Sequence, residues 1–166
     1  MAVITFGGKP TKTSGELPKV GSKAPDFRLS SLDLSSKKLK DYSGKKVIMN
    51  IFPSVGTGVC ATSVRKFNEK ASSLDNAVVL CISRDLPFAQ KEFCAVQGLE
   101  NVEMLSDYRD QSFGNNYGVN MLENAFEGLL ARSIIVLDEN GKVIYNELVP
   151  EIGQEPNYDA ALKALQ

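Results

Sequence analysis

Three cysteines, Cys60, Cys81 and Cys94, are the residues of this 166-residue chain best suited to chemistry. There is no histidine. That removes Cys–His proteases, Ser–His hydrolases and most zinc and haem sites. A nucleophile here must be activated by a charge, a dipole or a hydrogen bond. An odd number of cysteines at low density does not suggest a secreted disulfide framework, and their wide spacing matches no close-paired zinc motif.

Cys60 stands out for its setting, the stretch VIMNIFPSVGTGVC from Val47 to Cys60. Val47 to Phe52 is mostly apolar and β-favouring, as in a strand buried on both faces. Pro53 cannot donate to a neighbouring strand and stops it. After a short Gly-bearing loop, Cys60, Val64, Phe67, Ala71 and Leu74 fall on one helical face. The pattern predicts a helix from about Val59 to Leu74, with Thr57 as its cap and Asp75-Asn76 as its end. A thiol is thereby placed on the first turn of a helix, just past a central strand. Backbone N–H groups point outward there and stabilise a thiolate. A cysteine on an apolar stripe is most often core filler. A hydroxyl three residues earlier and a proline closing the strand argue for more at Cys60.

The other elements must position that junction. Val3–Phe6, Gly7-Gly8 and Pro10–Ser14 read as a small hairpin. Residues 15–26 read as extended linker, and Phe27 to Leu39 as short strands or a turn of helix. Val78–Ser83 is apolar on both faces, like a central parallel strand. Asp85 reads as the cap of a second helix, with Pro87 in its first turn and Gly98 as its stop. In that helix Ala89, Phe93 and Val96 make the expected apolar face, with Gln90, Cys94 and Gln97 on a more polar side. Val102–Leu105 is a candidate strand, and 106–128 reads as loops and short helical turns. Ser133–Leu137 and Val143–Leu148 flank an Asn140-Gly141 turn. A last helix carries Tyr158, Ala161, Leu162 and Leu165 on one face. The order predicts an α/β thioredoxin-like fold: one domain, 1–166, with a central mixed sheet, flanking helices and an N-terminal β-hairpin extension.

Composition narrows the partners. Apolar residues make up 43% of the chain, and Lys plus Arg number 19 against 20 Asp plus Glu. No long basic run favours nucleic acid, and no apolar run is long enough to span a membrane. The first residues lack the pattern of a signal peptide, so cytoplasmic location is the default expectation.

Thr57-Gly58-Val59-Cys60 lies where a disulfide oxidoreductase carries C-x-x-C, but its first position is threonine. P-x-x-x-T-x-x-C in this context resembles the peroxiredoxins. More closely the chain is similar to the bacterial thiol peroxidases, atypical two-cysteine peroxiredoxins. The resemblance is strongest in NIFPSVGTGVCATSVRKFN (50–68), VVLCISRDLPFAQKEFC (78–94) and LLARSIIVLDENGKVIY (129–145). It implies that Cys60 is the peroxidatic cysteine and Cys94 the resolving cysteine. Thr57 would hydrogen-bond thiolate and peroxide, Pro53 would shield the pocket, and Arg132 would complete the site. Cys81 matches a third cysteine not required for turnover. It also implies hydroperoxide substrates, alkyl hydroperoxides foremost, a Cys60–Cys94 disulfide reset by thioredoxin, a homodimer, and no metal or organic cofactor. The family usually carries an acidic residue where this chain has Gly56.

Chemistry gives these roles independent weight. Thiolate, not thiol, attacks an O–O bond, and an ordinary thiol is only about 3% ionised at pH 7. For any thiol, a pKa lowered to roughly 6 gains about thirtyfold in thiolate but loses about ten- to twentyfold in nucleophilicity. Donors that hold the peroxide in line and stabilise the departing oxygen must supply most of the acceleration. Arg132, Thr57 and the first-turn amides are the candidates, with Arg65 and Arg84 as rival guanidiniums. A strand beginning at Arg132 and antiparallel to the central one would start near Cys60. The expected arrangement is a sulfur that peroxide can reach, with Arg132 aimed at it. Cys94, on a helix flank, is easier to reach than Cys81 in a strand, and bridging two helical cysteines calls for local unwinding. Met121, Leu122 and Phe126 read as local packing or part of a dimer face. The alternatives are a thioredoxin-like redox sensor or binding module that oxidises once without turnover, and a purely structural scaffold.

Overall fold

Apolar residues on both faces make Lys46–Ile51 (β5) an inner, buried strand, as seen in a computed structural model that describes residues 1–166. Val47, Met49 and Ile51 face one apolar core, and Ile48 and Phe52 face the other. The chain before it forms Val3–Phe6 (β1), Lys9–Lys12 (β2), Arg28–Ser30 (β3), Ser36–Lys38 (β4) and a 3-10 turn at Leu39–Tyr42. After it come Gly58–Ala71 (α1), Ala77–Ser83 (β6), Pro87–Gln97 (α2), Glu103–Ser106 (β7) and Ser112–Asn116 (α3). Ser133–Leu137 (β8), Val143–Leu148 (β9) and Tyr158–Lys163 (α4) complete it.

Seven strands form one mixed sheet in the order β4-β3-β7-β6-β5-β8-β9. The crossovers β5-α1-β6 and β6-α2-β7 join parallel neighbours and step in the same direction across the sheet. Right-handed crossovers therefore put α1 and α2 on one face. There they pack with α4 over Ile48, Val79, Cys81, Met104 and Val136. The other face buries Leu80, Ile82, Leu105, Phe113, Tyr117 and Ile135. This is the thioredoxin-like α/β arrangement with an N-terminal hairpin. The hairpin β1–β2 turns on Gly7 and Gly8, whose φ of 58° and 80° suit glycine.

Two local expectations change. Asp85 does not cap α2: the N-cap is Leu86, without a side-chain bond, because Pro87 takes the first helical position. Asp85 stands one residue too early, and its carboxylate turns toward the loop before α1. The face of α2 also differs. Pro87 and Gln90 are its buried residues, Phe93 and Cys94 are half-buried, and Ala89 and Val96 are exposed. The buried Gln90 is half-satisfied: its amide nitrogen donates to Ser83 Oγ (3.1 Å) and to the Leu105 carbonyl (2.9 Å), and its Oε1 has no partner. Helix α2 has no acidic residue in its first turn and no basic residue in its last, so nothing complements its dipole. Met121 is core rather than dimer face, being fully buried.

Candidate active site at the strand-to-helix junction

Cys60 lies in the first turn of α1, whose N-cap is Thr57 as its sequence position suggests. The Thr57 hydroxyl accepts the Cys60 amide at 3.4 Å and donates to the Ser54 carbonyl at 3.2 Å. It shapes the turn under the sulfur and makes no hydrogen bond to the sulfur itself. Pro53, buried, closes the end of β5.

Arg132 arrives from far along the chain. Strand β8 pairs antiparallel with β5, Ser133 opposite Ile51, so the residue before β8 abuts the residues after β5. Arg132 is 2% exposed. Its Nε donates to the Ile152 carbonyl at 3.0 Å, and its Nη2 donates to Cys60 Sγ at 3.3 Å. Its Nη1 is buried and has no partner. A buried charged donor without an acceptor costs on the order of 1–3 kcal/mol or more. An acceptor set against Nη1 would offset that cost; Asn50 Oδ1 and Gln90 Oε1, both acceptors, are the other buried polar side-chain atoms without a partner.

An open pocket of about 370 Å³ leads to this spot, lined by Phe6, Thr57, Val59, Phe126, Arg132 and Ile152, among others. Cys60 has no exposed surface of its own. The pocket is lined by Thr57, Gly58, Val59 and Arg132 but not by Cys60, so the expectation of a sulfur open to peroxide is not met: burial in the core beneath α1 covers it. Phe6 and Phe126, both in its lining, pack against each other at a tilt of 53° with ring centroids 4.7 Å apart. Glu151 fixes that wall by accepting the Gly8 amide at 2.8 Å, the Gly153 amide at 2.9 Å and the Thr5 hydroxyl at 3.2 Å. These bonds, the Gly153 amide foremost, hold its carboxyl below the usual range. A larger hollow of about 460 Å³ sits at the opposite end of β5, among Lys23, Asp26, Tyr42 and Asp138, and has no cysteine in its lining. No three Cys, Asp or Glu side chains gather closely enough to hold a metal ion.

A buried thiol on a helix start, gripped by a guanidinium with a donor to spare, is matched by known proteins. The family model described as Redoxin matches residues 19–162. The chain belongs to the Redoxin family. It is 56% identical to a thiol peroxidase of Corynebacterium glutamicum over 99% of each chain, and equally to a thiol peroxidase of Mycobacterium tuberculosis. Among solved structures, a peroxiredoxin-like protein from Aquifex aeolicus superposes with a TM-score of 0.93 at 38% identity, covering 99% of this chain and 96% of that one. The activity of this Redoxin is accordingly thiol-dependent peroxide reduction.

The other thiols of this Redoxin line the same core. All three cysteines are free. Cys81, on β6, is fully buried and pushed up to about 12 by burial. Its sulfur receives the Asn50 amide at 3.7 Å. Cys94, in the last turn of α2, is half-buried, and burial raises its pKa too. The rival arginines are engaged elsewhere: Arg84 with Asp107 at 2.8 Å, and Arg65 with Thr62 at 3.1 Å on an exposed helix face. The motif around Cys60 gave no sign of Phe6, Phe126, Glu151 or the Ile152 carbonyl. They come from both ends of the chain, and no local spacing links them. Asp85 had a signal that points the right way, since Pro87 fixes the helix start and leaves the carboxylate free for other donors.

No helix is long and apolar enough to cross a membrane.

Proposed function

We propose that Cys60 reduces hydroperoxides and is reset through a disulfide with Cys94. The thiolate sulfur bonds to the terminal oxygen of ROOH as the O–O bond breaks. Sulfenate remains on Cys60, and the alcohol leaves with the proton. Protonated to sulfenic acid, Cys60 then condenses with the Cys94 thiol, forming S–S and releasing water. A dithiol protein of the thioredoxin class reduces that disulfide by exchange.

The single observation that carries the reading is the unpartnered, buried Nη1 of Arg132 beside the Nη2 that holds the sulfur. A peroxide oxygen in line with Sγ meets this donor and removes the cost of leaving it bare. The charge developing on the leaving oxygen is stabilised in a site that excludes water. Phe6 and Phe126 supply an apolar wall for an organic tail, so alkyl and aryl hydroperoxides are favoured over hydrogen peroxide. Cys94 is favoured over Cys81 as partner because it is half-exposed on a helix with little to hold its ends, whereas Cys81 is locked in the sheet. The proposal includes a cytoplasmic setting, where free thiols and a dithiol reductant coexist, and the homodimer that the resemblance implies. Leu86, Phe88 and Val96, exposed on and beside α2, offer apolar surface to a second copy.

Peroxide consumption coupled to NADPH through thioredoxin reductase and thioredoxin tests the function. Sustained turnover is expected. Oxidation that stops after one equivalent would show a sensor instead.

A further inference from the structure

Between β6 and α2 sits a carboxylate that neither capping nor catalysis accounts for. Asp85 Oδ1 accepts the Ser54 hydroxyl at 2.7 Å. Its Oδ2 accepts the Val55 amide at 2.9 Å and the Ser83 hydroxyl at 2.6 Å. Ser54 and Val55 belong to the loop between Pro53 and Thr57, which sets the turn under Cys60. Ser83 in turn accepts the buried amide of Gln90, the polar anchor of α2, one helical turn before Cys94. A continuous run of hydrogen bonds thus joins the peroxidatic loop to the helix that bears the second thiol. Three of its donors, the Ser54 and Ser83 hydroxyls and the Val55 amide, meet at the Asp85 carboxylate.

We propose that Asp85 is a positioning residue that ties the shape of the Cys60 loop to the docking of α2, so that peroxide attack and disulfide closure draw on opposite states of one latch. The inference rests on the Cys60–Cys94 reading above. With α2 docked, Gln90 orients Ser83, Ser83 and the loop donors converge on Asp85, and Pro53 to Thr57 hold the geometry for peroxide. Cys94 reaches Cys60 only when α2 loosens from the sheet. The helix is built to loosen: it has no capping side chain and no complementary end charges, and it buries only Pro87 and Gln90 fully. Releasing Gln90 removes one support of Ser83, and through it of Asp85. The loop then relaxes as the second thiol arrives. Breaking the latch by mutation should move the two chemical steps in opposite directions, which a general loss of stability does not do.

The test is rapid-quench mass spectrometry of full-length protein with cumene hydroperoxide, following Cys60 as thiol, sulfenic acid, disulfide and sulfinic acid. Asp85→Ala is expected to slow Cys60 oxidation by about ten- to a hundredfold, the usual penalty for a misplaced reacting group. The same variant should form the Cys60–Cys94 disulfide faster than wild type and accumulate less sulfinic acid at excess peroxide. Asp85→Asn, which can accept the Val55 amide and donate to Ser54, should return both steps most of the way. Should Asp85→Ala fail to fold, Ser54→Ala removes one arm of the latch and should show the same split on a smaller scale. Slowing of both steps together, no change in either, or failure of Asp85→Asn to restore them would overturn the latch. A wild-type protein that makes no Cys60–Cys94 disulfide would instead contradict the assignment of Cys94 on which the latch rests.

Discussion

Arg132 and Cys60, 72 positions apart in the chain, meet with Nη2 3.3 Å from Sγ, and the second terminal nitrogen of the same guanidinium has no partner. The relation depends on the antiparallel register of β8 on β5, and on the Ile152 carbonyl that fixes Nε. One planar fork therefore holds the backbone and the sulfur and still has one donor unengaged.

Arg132→Lys should be far from conservative. A single ammonium cannot reach Ile152, the sulfur and a peroxide in one fixed plane. Removing one preorganised donor of this kind costs about 10²- to 10³-fold in rate. The second-order rate of Cys60 oxidation is the readout, and a loss under about threefold would sink the role assigned to Arg132.

Cys81 supplies a pH prediction. Burial raises its pKa to about 12 in the folded protein, whereas the unfolded thiol titrates near the ordinary value of about 8.5. Between those values the folded state holds a proton that the unfolded state has released. The contribution is therefore fully present below about pH 8.5 and declines by about 1.4 kcal/mol per pH unit as pH rises. Cys81→Ser should be close to silent at pH 7 in stability and turnover. Measured by urea unfolding from pH 7 to 10, the variant should lose stability less steeply than wild type. Parallel curves would contradict the assignment.

How much of this was legible without coordinates differs by distance along the chain. The β5–α1 junction was readable because everything that defines it is contiguous: an apolar strand, Pro53, a Thr57 cap, and a helical face from Cys60 to Phe67. Arg132 was singled out by the resemblance, and the expected antiparallel direction of its strand only placed its start near Cys60. Asp85 was misread by one position, since acidic residues before Pro are common caps and only the fixed helical place of Pro87 excludes it. The face of α2 was misassigned because periodicity assumes that apolar side chains are the buried ones. Here Gln90 is buried and Val96 exposed, a trade that only the Ser83 and Leu105 oxygens make tolerable. The pocket wall could not be read at all, since Phe6 and Phe126 meet only through tertiary folding.

Glu151 should tune substrate choice. Its carboxyl is depressed by the Gly153 and Gly8 amides, so its hold on the hairpin is complete above the ordinary carboxylate value of about 4.3. That hold fades as pH falls through the lower folded value. Glu151→Gln should lower the rate with cumene hydroperoxide relative to hydrogen peroxide by about threefold, what roughly 25 Å² of lost apolar contact is worth. An unchanged ratio at neutral pH would mean that the hairpin wall does not touch the organic tail.

The most direct measurement is a peptide map by mass spectrometry after one equivalent of peroxide, with free thiols blocked at quench. One cross-link is expected, Cys60 to Cys94, with Cys81 recovered unmodified; Cys94→Ser should leave Cys60 oxidised once and resistant to reset by thioredoxin. A Cys60–Cys81 link, or oxidation spread evenly over the three thiols, would contradict it.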